Sequence, residues 1–183
     1  MNSHIEIRLL PDPEFHETVL MNAIFTKLHK ALCDLRSTDI GVSFPRCKVT
    51  LGDVLRIHSE EPVLNDLQGL NWIGGMKGYC KISDVVPAPA GSKFRTVSRK
   101  QPTMSQSKLN RLIKRGSISE EDIKKYKAKM FSKGLDNPYI ELASGSNGHK
   151  HRRYIELGEL LDNPVAGEFD QFGLSKTATV PWF

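Results

Sequence analysis

His4-Ile5-Glu6-Ile7-Arg8-Leu9 alternates apolar and polar residues, and Glu14 to Leu35 (EFHETVLMNAIFTKLHKALCDL) changes to a different period. Alternation puts Ile5, Ile7 and Leu9 on one face, as in a half-buried strand. Pro11-Asp12-Pro13 stops that strand. In the next run Val19, Leu20, Ala23, Ile24, Leu28, Ala31, Leu32 and Leu35 recur with the period of a helix, and only Lys27 is out of character. Strand then helix is therefore the predicted start.

Working outward from it, Gly41–Phe44 reads as a short strand ended by Pro45, and Asp53–His58 as another. Glu60–Leu70 is a predicted helix, closed by the Gly74-Gly75 turn, and Tyr79–Val86 a fourth strand. The order β-α-β-β-α-β is the split βαβ, or ferredoxin-like, arrangement, so the fold class is α+β. Pro87-Ala88-Pro89-Ala90-Gly91 reads as a linker, which predicts a boundary near residue 90: a ferredoxin-like domain over 1–90 and a second α/β domain over 91–183.

In the second half, Phe94–Lys100 reads as a strand leading into a helix from Ser105 to Arg115, with Gly116 as its stop. Ser119 followed by Glu120-Glu121-Asp122 is a helix start, running to Ser132 with Gly134 beyond it. Tyr139–Ala143 and Lys150–Leu157 read as strands flanking Ser144-Gly145-Ser146-Asn147-Gly148, a hairpin loop closing on Asn-Gly. Phe169–Phe172 and Thr179–Trp182 add further predicted strand.

Charge is unevenly spread over the 183 residues. Val85–Ser119 holds eight basic residues and no acid, while the whole chain is only +5. Lys108, Arg111, Lys114 and Arg115 line one face of the predicted helix, with Leu109, Leu112 and Ile113 opposite. A basic stripe of this kind fits phosphate binding; its plainer reading is a solvated face. The pI near 9.1 points to an acidic partner, nucleic acid or membrane. No apolar run approaches the ~18 residues needed to span a bilayer, and the alternating N-terminus does not read as a signal peptide. Cys33, Cys47 and Cys80 are odd in number and in no CxxC spacing, as expected of reduced cytosolic thiols. His149 and His151 share a strand face but lack a third ligand, so no metal site is expected.

No HExxH, P-loop, GxSxG or GxGxxG occurs. If the chain cuts nucleic acid, metal-free RNA cleavage suits it best: the substrate's 2′-hydroxyl is the nucleophile, histidine moves the protons, and hydroxyls and cations steady the rest. His29 lies at the edge of the apolar stripe, between Phe25 and Cys33 at i±4. Ser144 and Ser146 sit in a Gly-containing loop where backbone can approach a ribose closely. His58, His149 and His151 are competitors, and spacing alone does not bring His29 to Ser144.

At these residues the chain resembles the type I-F CRISPR-associated endoribonucleases that cut the repeat hairpins of precursor CRISPR RNA. The resemblance covers nearly the whole chain. It is densest in Ile7 to Phe15 (IRLLPDPEF), Lys27-Leu28-His29, Ile40 to Pro45 (IGVSFP), Leu55 to His58 (LRIH), Val97-Ser98-Arg99, Gly173 to Lys176 (GLSK) and Val180 to Phe183 (VPWF).

It implies a ferredoxin-like N-terminal half and a basic helix lying in the major groove of the RNA stem-loop. It also implies His29 as the catalytic histidine, Ser144 holding the ribose, Ser146 as a second active-site serine, and Arg99 and Gln101 reading bases at the foot of the stem. Arg111, Lys114 and Arg115 match the helix's phosphate-binding arginines, and Lys108 shares their face. The family needs no metal or other cofactor. It leaves 2′,3′-cyclic phosphate and 5′-hydroxyl ends and stays bound to its product with the other subunits of the type I-F interference complex, in the cytoplasm.

Three positions depart from the family. Lys114 replaces an arginine and loses its planar fork. His151 stands where a phenylalanine can stack on a base at the foot of the stem. Phe172 stands where an active-site tyrosine can occur, beside the RNA. The rival expectation is a non-catalytic RNA hairpin-binding module.

Overall fold

The structure, a computed structural model, describes residues 1–101, 104, 106–132, 136–143 and 150–183. The first half of the chain forms β1 (Ser3–Leu9), α1 (Glu17–Leu35), β2 (Gly41–Ser43), β3 (Val54–Ser59), α2 (Glu61–Gly69), β4 (Cys80–Ile82) and β5 (Val86–Pro87). The first four strands make one antiparallel sheet in the order β2-β3-β1-β4, and β5 also pairs with β1. Its register follows from the alternation in β1: Ile5 pairs with Ile57 and Ile7 with Leu55, which buries both pairs beneath α1. The helix answers with Leu20, Met21, Ile24, Phe25, Leu28 and Leu32, all buried.

Two boundaries move for local reasons. Helix α1 begins at Glu17 rather than Glu14. The Asp12 carboxylate accepts from the Glu14 and Phe15 N–H groups at 2.9 Å, a turn that competes with helix. His16 then caps the helix by accepting from Thr18 N–H. The predicted strand Tyr79–Val86 is two strands. Between them the Ser83 hydroxyl accepts from Glu6 N–H at 2.9 Å, so a side chain substitutes for one rung of the ladder.

The second half supplies β6 (Lys93–Arg95), β7 (Val97–Lys100), α3 (Gln106–Lys114), α4 (Glu120–Ser132), β8 (Tyr139–Ala143), β9 (Lys150–Leu157) and β10 (Val180–Trp182). The single strand expected over Phe94–Lys100 divides at Thr96. β6 pairs with β10, whereas β7 joins a three-stranded sheet in the order β7-β9-β8. The Arg95 guanidinium reaches across to the Gly158 carbonyl and fixes that change of partner. Gly116 stops α3 as expected: its φ is +63°, its N–H bonds Ile113 O at 3.0 Å and Ser117 N–H bonds Leu112 O at 3.1 Å. Ser119 caps α4, accepting from Asp122 N–H at 3.1 Å. Gly134 and the loop over 144–148 lie outside the described residues.

Residues 169–172 are not a strand. Asp170 folds them into a turn, its carboxylate accepting from Phe172 N–H at 2.8 Å and Leu174 N–H at 3.0 Å. Gly173 takes φ +69°, a left-handed value that suits glycine. Its carbonyl accepts from Val42 N–H at 3.0 Å, which ties the turn to β2. Val97, Ile140, Leu142, Ile155, Phe169, Leu174 and Val180 from the second half are buried in one cluster with the β1 and α1 residues.

Candidate active site

His29 lies half-buried on α1, one turn before Cys33, where the apolar stripe meets the surface. Its Nδ1 is 2.7 Å from the Gln171 carbonyl oxygen. A carbonyl only accepts, so Nδ1 carries the proton and Nε2 of the neutral ring keeps a lone pair. The Cys33 sulfur lies 3.7 and 3.9 Å from the two ring nitrogens. Nearly equal distances mark a contact with the ring rather than a directed bond. The thiol proton goes to Gln171 Oε1 at 3.4 Å. Burial, with Asp34 nearby, pushes the Cys33 thiol up, so it stays protonated.

The turn at Asp170 makes two contacts with the imidazole: the Gln171 carbonyl and the Phe172 ring. Phe172 stacks on His29 with centroids 3.7 Å apart and planes 10° from parallel. The Arg153 guanidinium lies 3.5 Å from the same ring centroid. Two groups this close to one centroid cannot share a face, so Phe172 is sandwiched between them. Each such contact is worth about 0.5–2 kcal/mol. Arg153 itself is nearly enclosed, its side chain 11% exposed, with Asp170 Oδ2 3.9 Å away. Burial and then neighbouring Arg99 pull its pKa down, and Asp170 opposes them. Its Nε–H finds no hydrogen-bond partner among the described residues.

The other expected site residues fall into groups. Arg99, at the surface of β7, and exposed Gln101 line one groove with Arg153 and Lys176. His151 is exposed on β9, two residues from Arg153 and therefore on the same face. Arg111, Lys114 and Arg115 are exposed along and just beyond α3, as is Lys108. Leu109 is fully buried, but Ile113 is 46% exposed, so the apolar face of α3 is narrower than the spacing predicts. Ser144, Ser146 and His149 lie outside the described residues. β8, the strand that leads to Ser144, is seated on the helix that carries His29: Glu141 N–H donates to the Asn22 side chain at 3.0 Å.

One expectation changes. His58 is no competitor for catalysis, because it is fully buried with Nε2 2.7 Å from Ser43 Oγ. Within the acid-free segment, three cations already have partners in the protein itself. Lys93 pairs with Asp162, Lys100 with Glu156, and Arg95 with the Gly158 carbonyl and the Trp182 ring, all internal contacts. Sequence reasoning missed Gln171, Asp170 and Arg153 altogether. An Asp three residues before Gly173 is a turn signal that could have found the first two; nothing in KHRRYIEL singles out Arg153.

Among the described residues no helix is long and apolar enough to cross a membrane, and no cluster of three or more His, Cys, Asp or Glu could hold a metal.

The model of the CRISPR-associated protein family Cas_Csy4 matches residues 4–183. The chain is 41% identical over 184 residues to the CRISPR-associated endonuclease Cas6/Csy4 of Escherichia coli (strain UTI89 / UPEC), and both chains are covered completely. It is 36% identical over 187 residues to the protein of the same name from Pseudomonas aeruginosa (strain UCBPP-PA14), again with complete coverage of both. A solved CRISPR endoribonuclease Cse3 bound to 19 nt RNA aligns with 99% of this chain and 100% of its own, at 14% identity and a TM-score of 0.39, a likeness too slight to bear on the site. A family match over all but the first three residues, with relatives alike from end to end, means that the chain belongs to the Cas_Csy4 family of CRISPR-associated proteins.

Proposed function

We propose that this chain is a metal-independent endoribonuclease that binds the CRISPR repeat stem-loop and cuts precursor CRISPR RNA at the 3′ foot of the stem. Its full-length relatives carry the name CRISPR-associated endonuclease. The observation that carries the reading is the hold on His29. A backbone carbonyl fixes Nδ1–H, an aromatic face fixes the ring plane, and Nε2 is left to exchange protons.

In that role Nε2 takes the proton from the 2′-hydroxyl as its oxygen attacks phosphorus, or protonates the 5′-oxygen as the P–O5′ bond breaks. The products are a 2′,3′-cyclic phosphate and a 5′-hydroxyl. Ser144 holds the ribose in line and Ser146 assists. Arg99 and Gln101 read guanine and adenine edges at the stem foot, because each can bond its base bidentately. His151 stacks on a terminal base. Phe172, covered on both faces, meets RNA only through its edge. Lys108, Arg111, Lys114 and Arg115 follow the backbone phosphates of the stem.

We read the first sheet as ferredoxin-like, supported by the β2-β3-β1-β4 order, its antiparallel pairings, and α1 and α2 packed on it. A division near residue 90 is supported by the sheets: residues 3–87 build the first, and residues 93–182 the other two. We assign the chain to the cytoplasm, bound to mature CRISPR RNA and to the other subunits of the type I-F interference complex.

A labelled hairpin RNA from the chain's own CRISPR repeat, incubated in EDTA, tests the proposal. The expected result is a single cut by wild type. His29→Ala should bind within about twofold of wild type and cut at least a hundredfold more slowly, the usual size of a lost general base or acid. A single 2′-deoxy at the scissile position should give binding without cutting. Binding without cutting of the all-ribose hairpin by wild type would leave a non-catalytic hairpin-binding module, and a requirement for metal would overturn the mechanism.

A further inference from the structure

We infer that Arg153 is a positioning residue for cleavage, holding the Phe172 ring against His29 from the ring's far side. The inference rests on His29 being the proton-transfer residue. Three residues far apart in sequence form one stack: the His29 imidazole, the Phe172 ring and the Arg153 guanidinium, with 3.7 Å from the first ring centroid to the second and 3.5 Å from there to the guanidinium carbon.

A phenyl ring at the end of a surface turn can swing about its χ angles. Here the turn fixes only its backbone, through Asp170. The ring plane, on which the His29 orientation depends, is set by what packs on the ring: buried Phe25, with centroids 6.3 Å apart and planes 15° from parallel, and, on the far face, the Arg153 guanidinium. A guanidinium suits that position because it is flat and its charge is drawn to the negative face of the ring. Arg153 is itself held: β9 pairs its backbone with Ile140, its side chain is 11% exposed, and Asp170 Oδ2 is 3.9 Å away. Asp170 thus meets both halves of the clamp, the turn through its Oδ1 and the arginine through its Oδ2. Arg153 also lines the groove shared by Arg99 and Gln101. RNA seated on that pair therefore presses on the stack that orients His29.

The test uses the full chain and the repeat hairpin, with single-turnover rate and Kd measured separately. Arg153→Met removes charge and planarity while keeping length. It should cut about tenfold more slowly at saturating RNA, the size of a partly desolvated cation–π contact, with Kd unchanged within about twofold. Arg153→Lys, which keeps the charge without the flat stack, should recover part of the rate.

The double variant with Phe172→Leu should be no slower than Phe172→Leu alone, because Arg153 acts through that ring. A wild-type rate for Arg153→Met would overturn the inference, and so would losses that multiply. A loss confined to Kd with a shallower salt dependence would also overturn it, by making Arg153 a phosphate contact. NMR keeps the test independent of cutting. The His29 ring protons lie over Phe172 and feel its ring current, and Arg153→Met should relax that shift even if wild type proves inactive. Unmoved His29 shifts would overturn the inference on their own.

Discussion

At the scale of the residue, what sets His29 apart is its hydrogen-bond partner. Histidine in water can place its proton on either nitrogen, and a carbonyl 2.7 Å from Nδ1 settles the choice. The neutral ring of this protein is expected as the Nδ1–H tautomer, with Nε2 unprotonated. Long-range 15N–1H correlation of the ring checks this, because a bare Nε2 and a protonated Nδ1 resonate far apart; the reverse pattern would free Nδ1 from Gln171 and remove the stated basis for proton exchange at Nε2. Cys33 adds nothing ionic: its thiol is pushed up by burial and donates to Gln171 Oε1. Replacing it by Ala should leave cleavage within about fivefold, since a bond of this kind is worth about 1 kcal/mol or less. A loss of a hundredfold would give the thiol a direct part in the reaction.

At the scale of the element, α3 is the unit we propose for gripping the stem, and its exposed basic face was legible in the sequence from Lys108, Arg111, Lys114 and Arg115. Arg115 sits at the C-terminal end, exposed, with Gly116 turning the chain away just after it. Arg115→Ala is expected to weaken hairpin binding and reduce the slope of log K against log salt by about one, the value for a single phosphate contact. Titration at several salt concentrations reads both; an unchanged slope takes Arg115 out of the interface. The helices were legible because a 3.6-residue period reports burial directly, as in α1 from Leu20 to Leu32. The turn over 169–172 was not, because Phe-Asp-Gln-Phe shows no period that separates strand from turn. Its shape is decided by one carboxylate bonding two N–H groups. The division between β6 and β7 was hidden for a related reason: Thr96 marks a change of partner strand, and partners lie elsewhere in the chain. The candidate site was half legible on the same logic. His29 stood out at the edge of a stripe, whereas its clamp is assembled from residues 153 and 170–172, which only the fold brings to it.

At the scale of the whole molecule, the two halves share a buried cluster, and its first sheet contains a cost that depends on pH. His4 and His58 face each other across β1 and β3, with ring centroids 6.0 Å apart. Burial first, then His4 and Arg56, holds His58 well below the ordinary histidine value of 6.5. Burial and then Arg56 lower His4 as well, with Glu6 opposing. Neither Nδ1 has a hydrogen-bond partner among the described residues, and at His4 burial and Arg56 together outweigh Glu6 and the Val86 backbone hydrogen bond, which favour an added proton. The unfolded chain takes up protons at both positions near pH 6.5, while the folded chain resists until lower pH. The stability they contribute is therefore complete above about pH 7 and is lost as pH falls from there towards 5. The slope is at most about 1.4 kcal/mol per pH unit for each histidine. Glu6, held down by Arg56 and Arg8 against the upward push of burial, acts only below its ordinary value of 4.5 and stays outside that window. Urea midpoints measured without RNA should stay level from pH 8 to 7 and then fall towards pH 5. In His58→Gln, which can still bond Ser43, the fall should be roughly halved. A wild-type midpoint that holds level down to pH 5 would mean that both imidazoles take up protons in place, and that the β1–β3 face is open to water.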